Sequence, residues 1–341
     1  MRAAGALPVI LCASLGWIPM TASAQAQQQN DTLVDILGLK RWTRQELEAA
    51  AQRYEPGLSL ASSACAVVLR DSVGFDAASV VIYPSWRDHP TWVIITVVEP
   101  GRGVPVPTVD VSSTNAEALP PRWQELDSIL IKSLPDLSRL QDPAFLLTDT
   151  TYAFHRPVGA SALALRARLR ELNSPADLHL ALRLIQQAKG PEGPLAAAVL
   201  SNFPESGEAW AALLRADERR GDSGSGMADM IMAALARSGR FTVDWSGSER
   251  VLESAFSGWN AFALPTVMAV LVQTSANKAE VLAALRKEPD LVLEYLSAKN
   301  PYTPNMARTF LTYLAGEDLG TDASAWRERL GLGGSMPTPE P

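Results

Sequence analysis

The sequence predicts a mostly α protein: a small N-terminal α+β domain built on an antiparallel three-stranded sheet, followed by an all-α domain of helical hairpins. Three observations predict it. The three β-branched runs that read most clearly as strands, bounded by turn residues, lie before residue 100. From residue 158 to residue 330 the apolar residues keep a helical period, and no alternating run interrupts them. Helix starts that combine asparagine, an aromatic residue and proline recur along that second stretch.

Residues 1–24 have the make-up of an export signal. Arg2 is the only charge before Asp31, Ala3 to Met20 are uncharged and mostly apolar, and Ala22-Ser23-Ala24 offers an A-x-A cleavage site before Gln25. The pattern resembles a bacterial Sec-type signal. It implies an exported protein, periplasmic or extracellular, without a transmembrane span after cleavage. The alternative is an uncleaved anchor, but the apolar stretch is broken by Pro8 and Pro19, whereas a span wants about 20 apolar residues in succession. Residues 25–31 form a polar leader. Cleavage would remove Arg2 and take the net charge from −7 to −8. It would also remove Cys12 and leave Cys65 as the one thiol. Its context, Ala64-Cys65-Ala66-Val67-Val68-Leu69, suits a small core residue better than a nucleophile.

The α+β domain is expected over residues 32–157. Thr43 and Glu46 form a capping-box pattern that opens a helix to about Tyr54. Strands are expected at Val67-Val68-Leu69, Val80-Val81-Ile82 and Val93 to Val98. Short connections at 71–76 and 84–90 suit antiparallel hairpins. The proline- and glycine-rich run from Pro100 to Pro107 must be loop. A helix then begins near Pro121, with Trp123, Leu126, Ile129, Leu130, Ile131 and Leu134 on a broad apolar face, and Pro135 is expected to end or kink it. Phe145 to Phe154 leans toward strand.

The all-α domain is expected over residues 158–330, as short amphipathic helices near 161–172, 175–188, 193–202, 205–220, 226–238, 247–257, 264–274, 277–286, 288–298, 303–315 and 322–330. Asn260-Ala261-Phe262-Ala263-Leu264-Pro265 opens one helix and Asn300-Pro301-Tyr302-Thr303-Pro304 another, 40 residues later; Asn202-Phe203-Pro204 carries part of the pattern. Helix pairs repeating at about 40–47 residues are the HEAT and armadillo range. Residues 190–316 therefore resemble a degenerate HEAT-like, α-solenoid-type array, and the resemblance implies extended surfaces for protein partners. Residues 331–341 (Gly-Leu-Gly-Gly-Ser-Met-Pro-Thr-Pro-Glu-Pro) hold too little apolar content to pack and read as a flexible tail.

Little in the chain points to catalysis. His89, His155 and His179 have no partner at metal-ligand spacing, so no metal ligand, catalytic residue or cofactor-binding residue is assigned. Gly221-Asp222-Ser223-Gly224-Ser225-Gly226 superficially resembles the nucleophile segment of chymotrypsin-like proteases. It joins two helices, however, and the companion histidine motif is absent. Arg166, Arg168 and Arg170 lie beside Glu171 and read as a solvated face. The charge of −7 and a pI near 5.2 exclude a dedicated nucleic-acid binder.

The segment that stands out is Tyr83-Pro84-Ser85-Trp86-Arg87-Asp88-His89-Pro90-Thr91-Trp92. Tyr83, Trp86, Arg87, His89 and Trp92 gather in and beside one turn, and Trp, Tyr and Arg dominate interface hot spots. These five are the candidate partner-binding residues. The expected function is a non-enzymatic exported interaction or scaffold protein. The alternatives are a secreted hydrolase using carboxylates not located from sequence, and an extrinsic subunit of an envelope membrane complex.

Overall fold

The computed structural model describes residues 32–83, 90–105, 119–140, 160–187, 192–218, 225–237 and 241–333. The signal and leader, Trp86, Arg87 and His89, the 145–154 stretch, His155, the connection at 219–224 and the last eight residues lie outside the described residues.

The described residues are mostly helical, with one small sheet near the N-terminus. Its strands are β1 (Thr32–Leu37), β2 (Ala77–Tyr83) and β3 (Thr91–Val98). β3 lies in the middle, antiparallel to β2 and parallel to β1. The sheet is therefore mixed, which corrects the expected antiparallel one. β1 was not among the expected strands, and the strand expected at Val67-Val68-Leu69 is helix. Ala64–Val68 form α2 and Leu69–Val73 continue it as a π turn. The physical reason is spacing. Cys65, Val68 and Leu69 are buried at i, i+3 and i+4, so one helical face buries all three, whereas alternation would expose Val68.

The sheet is covered on both faces. Val93, Ile95 and Val97 pack with Leu47 and Ala51 of α1 (Arg44–Tyr54) and with Cys65, Val68 and Leu69. α1 opens as the sequence predicts, with Thr43 and Glu46 closing a capping box. On the other face, Leu37 and Ile94 belong to one continuous apolar cluster that runs through the helices. That cluster takes in Trp123, Leu126 and Leu130 of α3 (Pro121–Leu140), a helix that continues past Pro135.

The remaining helices are α4 (Ala160–Arg170), α5 (Pro175–Gln186), α6 (Gly193–Leu200), α7 (Gly207–Glu218), α8 (Ser225–Arg237), α9 (Glu249–Phe256), α10 (Leu264–Gln273), α11 (Lys278–Lys287), α12 (Asp290–Tyr295), α13 (Thr303–Ala315) and α14 (Ala323–Leu330). α5 packs on α6, α7 on α8, α9 on α11 and α10 on α13. Trp123, Trp210, Trp245 and Trp326 are fully buried in these layers. Each indole N–H still donates a hydrogen bond: to Asp177 Oδ1 at 3.0 Å, to the carbonyls of Pro204 at 2.8 Å and Gly320 at 2.9 Å, and from Trp245 to Thr274 Oγ1 at 3.1 Å. The core thus contains large aromatic side chains without orphaned indole donors.

Two of the three recurring asparagines, Asn202 and Asn260, share a task. Asn202 Nδ2 donates to the carbonyls of Leu169 at 2.8 Å and Leu172 at 3.0 Å, at the end of α4. Asn260 Nδ2 donates to the Asp217 carbonyl at 2.7 Å, near the end of α7. Each amide satisfies helix-terminal carbonyls that have no partner within their own helix.

Candidate functional site

The sheet has two ends, and each gathers side chains of a different kind. At the carboxyl ends of the parallel pair β1 and β3 the side chains are charged. Gly38 follows β1 with φ of 91°, and a Cβ there would stand 1.8 Å from the Val97 carbonyl oxygen, so only glycine lets the chain turn so close to β3. Its N–H donates to Glu294 Oε2 at 2.7 Å.

Glu99, immediately after β3, is buried. It accepts from the backbone N–H groups of Lys40 (2.7 Å), Arg41 (2.7 Å) and Trp42 (3.0 Å), and from Arg41 Nε at 2.9 Å. Burial alone would raise its pKa; the guanidinium and the three N–H donors outweigh that and hold the carboxyl at about 2. Asp290, the first residue of α12, is surrounded by Arg327 Nη2 at 2.6 Å, Arg102 at 3.6 Å and Lys40 at 3.8 Å. Burial acts to raise this carboxyl as well, but the three cations keep it below the usual carboxylate range. Lys40 also pairs with Glu294. Glu288 is pushed up, first by burial and then by Glu253 and Asp290, with Arg102 opposing.

The cleft among Gly38, Lys40, Arg102, Glu288, Asp290 and Glu294 has a cavity volume of about 40 Å³. That is room for a few waters and no larger molecule. Its charges instead serve to join chain segments. The strap after β3 continues the joint, with Val104 N–H donating to Ser257 Oγ at 3.0 Å and Ser254 Oγ to the Val104 carbonyl at 2.7 Å. None of these residues was singled out by sequence. Glu99, Lys40 and Asp290 are separated by up to 250 positions, so no local spacing brings them to notice.

At the opposite end the side chains are aromatic and apolar. The register sets Leu33, Trp92 and Tyr83 side by side across all three strands, on the face that meets the helices. Tyr83 stacks on Tyr302, before α13, with ring centroids 4.8 Å apart and planes at 19°. Trp92 is half-buried and Leu33 is 44% exposed. Of the five sequence candidates, the structure therefore brings Tyr83 and Trp92 together and places Tyr83 against the helical layer. Trp86, Arg87 and His89 lie outside the described residues. Leu33 and Tyr302 are additions that depended on strand register and on a contact between distant elements.

A third cluster is buried between α7 and α8. Asp217 is buried, and its Oδ2 has no hydrogen-bond partner among the described residues. Burial pushes its carboxyl well above the ordinary range, with Asp229 and Glu218 adding to the effect. Among the described residues no group of His, Cys, Asp and Glu could hold a metal ion, and no helix is long and apolar enough to cross a membrane. Cys65 is fully buried, and burial pushes its thiol up to about 11, which disfavours the thiolate. His179 is exposed on α5. Arg168 pairs with Glu125 of α3, so one member of the basic trio bridges two helices.

Comparison of the chain with protein-family models, with curated proteins and with solved structures finds no match.

Proposed function

We propose that this chain is an exported, non-enzymatic interaction protein that binds another protein through the aromatic end of its sheet, carried on a HEAT-like helical array. The observation that carries the reading is the row Leu33–Trp92–Tyr83. Three large apolar side chains lie in register at one sheet end, with Leu33 44% exposed. Aromatic residues in such a position supply rigid contact area at low entropic cost. Trp86, Arg87 and His89, the other three candidates, fall between Tyr83 and Trp92 in sequence. Export rests on the signal-like residues 1–24 and predicts a mature N-terminus at Gln25, in the periplasm or outside the cell.

The test is affinity capture of the tagged protein from its native envelope, with Trp86→Ala and Trp92→Ala as comparators of matched thermal stability. The reading expects a reproducible partner that is lost with either variant. Retention of the same partner by both variants overturns it. Persistence of the partner in the membrane fraction after osmotic shock would identify it as part of an envelope complex.

The hydrolase alternative draws on one observation: Glu288 and Asp290 line one cleft with pKa values displaced in opposite directions, the pattern of an acid beside an ionised carboxylate. A cavity of about 40 Å³ leaves no space for a substrate beside them, which favours the interaction reading.

A further inference from the structure

We infer that α7 and α8 form a proton-held joint: a proton on Asp217 keeps α8 packed, and its loss as pH rises loosens α8 from the helical layer. The two helices pack on each other, and α8 also packs on α6 and α10. Asp217 and Glu218 are the last two residues of α7, with exposures of 1% and 0%.

Three effects act on Asp217 in one direction. Its carboxyl is out of water, and its Oδ2 meets no hydrogen-bond donor among the described residues, so keeping a proton costs less than carrying a charge. It stands at the carbonyl end of α7, where the helix dipole disfavours a negative group. Asp229 of α8 and Glu218 add like-charge repulsion. Asn260 Nδ2 meanwhile holds the Asp217 carbonyl at 2.7 Å, which fixes the backbone of this last turn and leaves the conflict in the side chain.

The helices around the joint offer little to offset a charge there. α6 and α10 carry no titratable side chain. On α9, Glu253 pairs with Arg250 and Lys287, and Glu249 pairs with Lys287. On α5, Asp177 is taken up by Ser174 and Trp123, while His179 and Arg183 are exposed. On α7 itself Glu208 is exposed in the first turn, and Arg215 lies two positions before Asp217, on another side of the helix. In α8, Asp229 is the one acidic residue and Arg237 the one basic residue. Met227, Ile231, Met232 and Leu235 of α8 are buried, so loosening this helix uncovers a methionine-rich apolar face.

In the loosened state Asp217 is solvated and titrates near the ordinary aspartate value of about 3.9. In the packed state it holds its proton to higher pH. Between those two values each pH unit raises the loosened fraction about tenfold.

Amide hydrogen exchange of the full chain from pH 5 to pH 8, with each rate divided by the intrinsic rate at that pH, tests this. Protection of the α8 amides should fall at least tenfold across the range, while α13 keeps its own. Asp217→Asn keeps the shape without the charge. It should melt with the parent at pH 4, hold α8 protection within twofold across the range, and exceed the parent at pH 8. Asp229→Asn removes one repelling charge and should recover part of the α8 protection at pH 8. Constant α8 protection in the parent, a joint loss of protection in α8 and α13, or no recovery in either variant would overturn the inference. So would a looser α8 in Asp217→Asn at pH 7, the result expected if Arg219 or Arg220, next in sequence, held Asp217 ionised.

Discussion

Tyr83 stacks on Tyr302 with ring centroids 4.8 Å apart, joining the last residue of β2 to the turn that precedes α13. The contact ties the aromatic end of the sheet to the helical layer across more than two hundred residues of sequence. Aromatic pairs of this kind add about 0.5–1.5 kcal/mol beyond the area they bury. A double-mutant cycle of Tyr83→Ala and Tyr302→Ala, followed by urea denaturation, should return a coupling energy of that size. A coupling near zero would make the stack a contact without energetic weight.

Asp35 anchors the same turn from β1. Its Oδ2 accepts from the Lys299 N–H at 2.6 Å and from Asn300 at N (3.3 Å) and Nδ2 (3.4 Å), while Asn300 Oδ1 caps the N–H groups of Tyr302 (3.0 Å) and Thr303 (2.8 Å). Asp35 and Asn300 are both buried. Asp35→Ala strands buried donors and should cost about 2–3 kcal/mol. Asp35→Asn keeps an acceptor and should cost less. Chemical denaturation of the two variants measures the difference, and equal losses would show that the acceptor is not what matters.

The helices were legible because their boundaries carry local chemistry. Ser174-Pro175 with Asp177, Asn277 before Lys278, and Asp322 before Ala323 all mark helix starts, and the structure begins α5, α11 and α14 there. The strands β2 and β3 were legible from their β-branched runs. β1 was not, because Asp35 breaks an otherwise apolar strand, and what neutralises that break is a turn some 264 residues away. Val67 and Val68 misled for the opposite reason. Their branching suggested strand, while burial of Cys65, Val68 and Leu69 on one face decided for helix. Of the aromatic end, the residue types were legible and the neighbours were not.

Asn202 and Asn260 offer a matched pair of tests. Each donates from its amide to helix-terminal carbonyls, at 2.8 and 3.0 Å for Asn202 and 2.7 Å for Asn260. Asn202→Ala should cost about 1–3 kcal/mol, and Asn260→Ala somewhat less because it removes one bond instead of two. Because the two sites share no partner, the double variant should lose the sum of the single losses. Thermal unfolding of the three variants checks both the sizes and the additivity.

Glu99 makes stability depend on acid. Its folded pKa of about 2 lies below the ordinary glutamate value of about 4.3 in the unfolded chain. A depressed carboxyl contributes stability that is complete above the unfolded value and is lost as pH falls through the folded one. The loss therefore runs from about pH 5 to pH 2 and amounts to about 3 kcal/mol. Glu99→Gln should be destabilised by about that much at pH 7 and converge on the parent protein near pH 2. Urea midpoints across this range test it, and a gap that stays constant with pH would refute the linkage.

Glu288 should show the reverse sign. Burial, Glu253 and Asp290 together raise its pKa in the folded protein, so the folded state holds its proton more tightly than the unfolded chain does. Such a group costs nothing below the unfolded glutamate value, costs progressively more as pH rises through the folded one, and costs most above it. Glu288→Gln removes the charge and keeps the shape. It should raise the melting temperature at pH 7 and give no advantage at pH 4. Because Asp290 beside it is held low by Arg327, Lys40 and Arg102, Asp290→Asn should instead lower the melting temperature at pH 7. Opposite signs from two carboxylates lining one cleft would separate the charge that joins the chain segments from the charge that is merely tolerated there; equal signs would mean that the cations are shared between them.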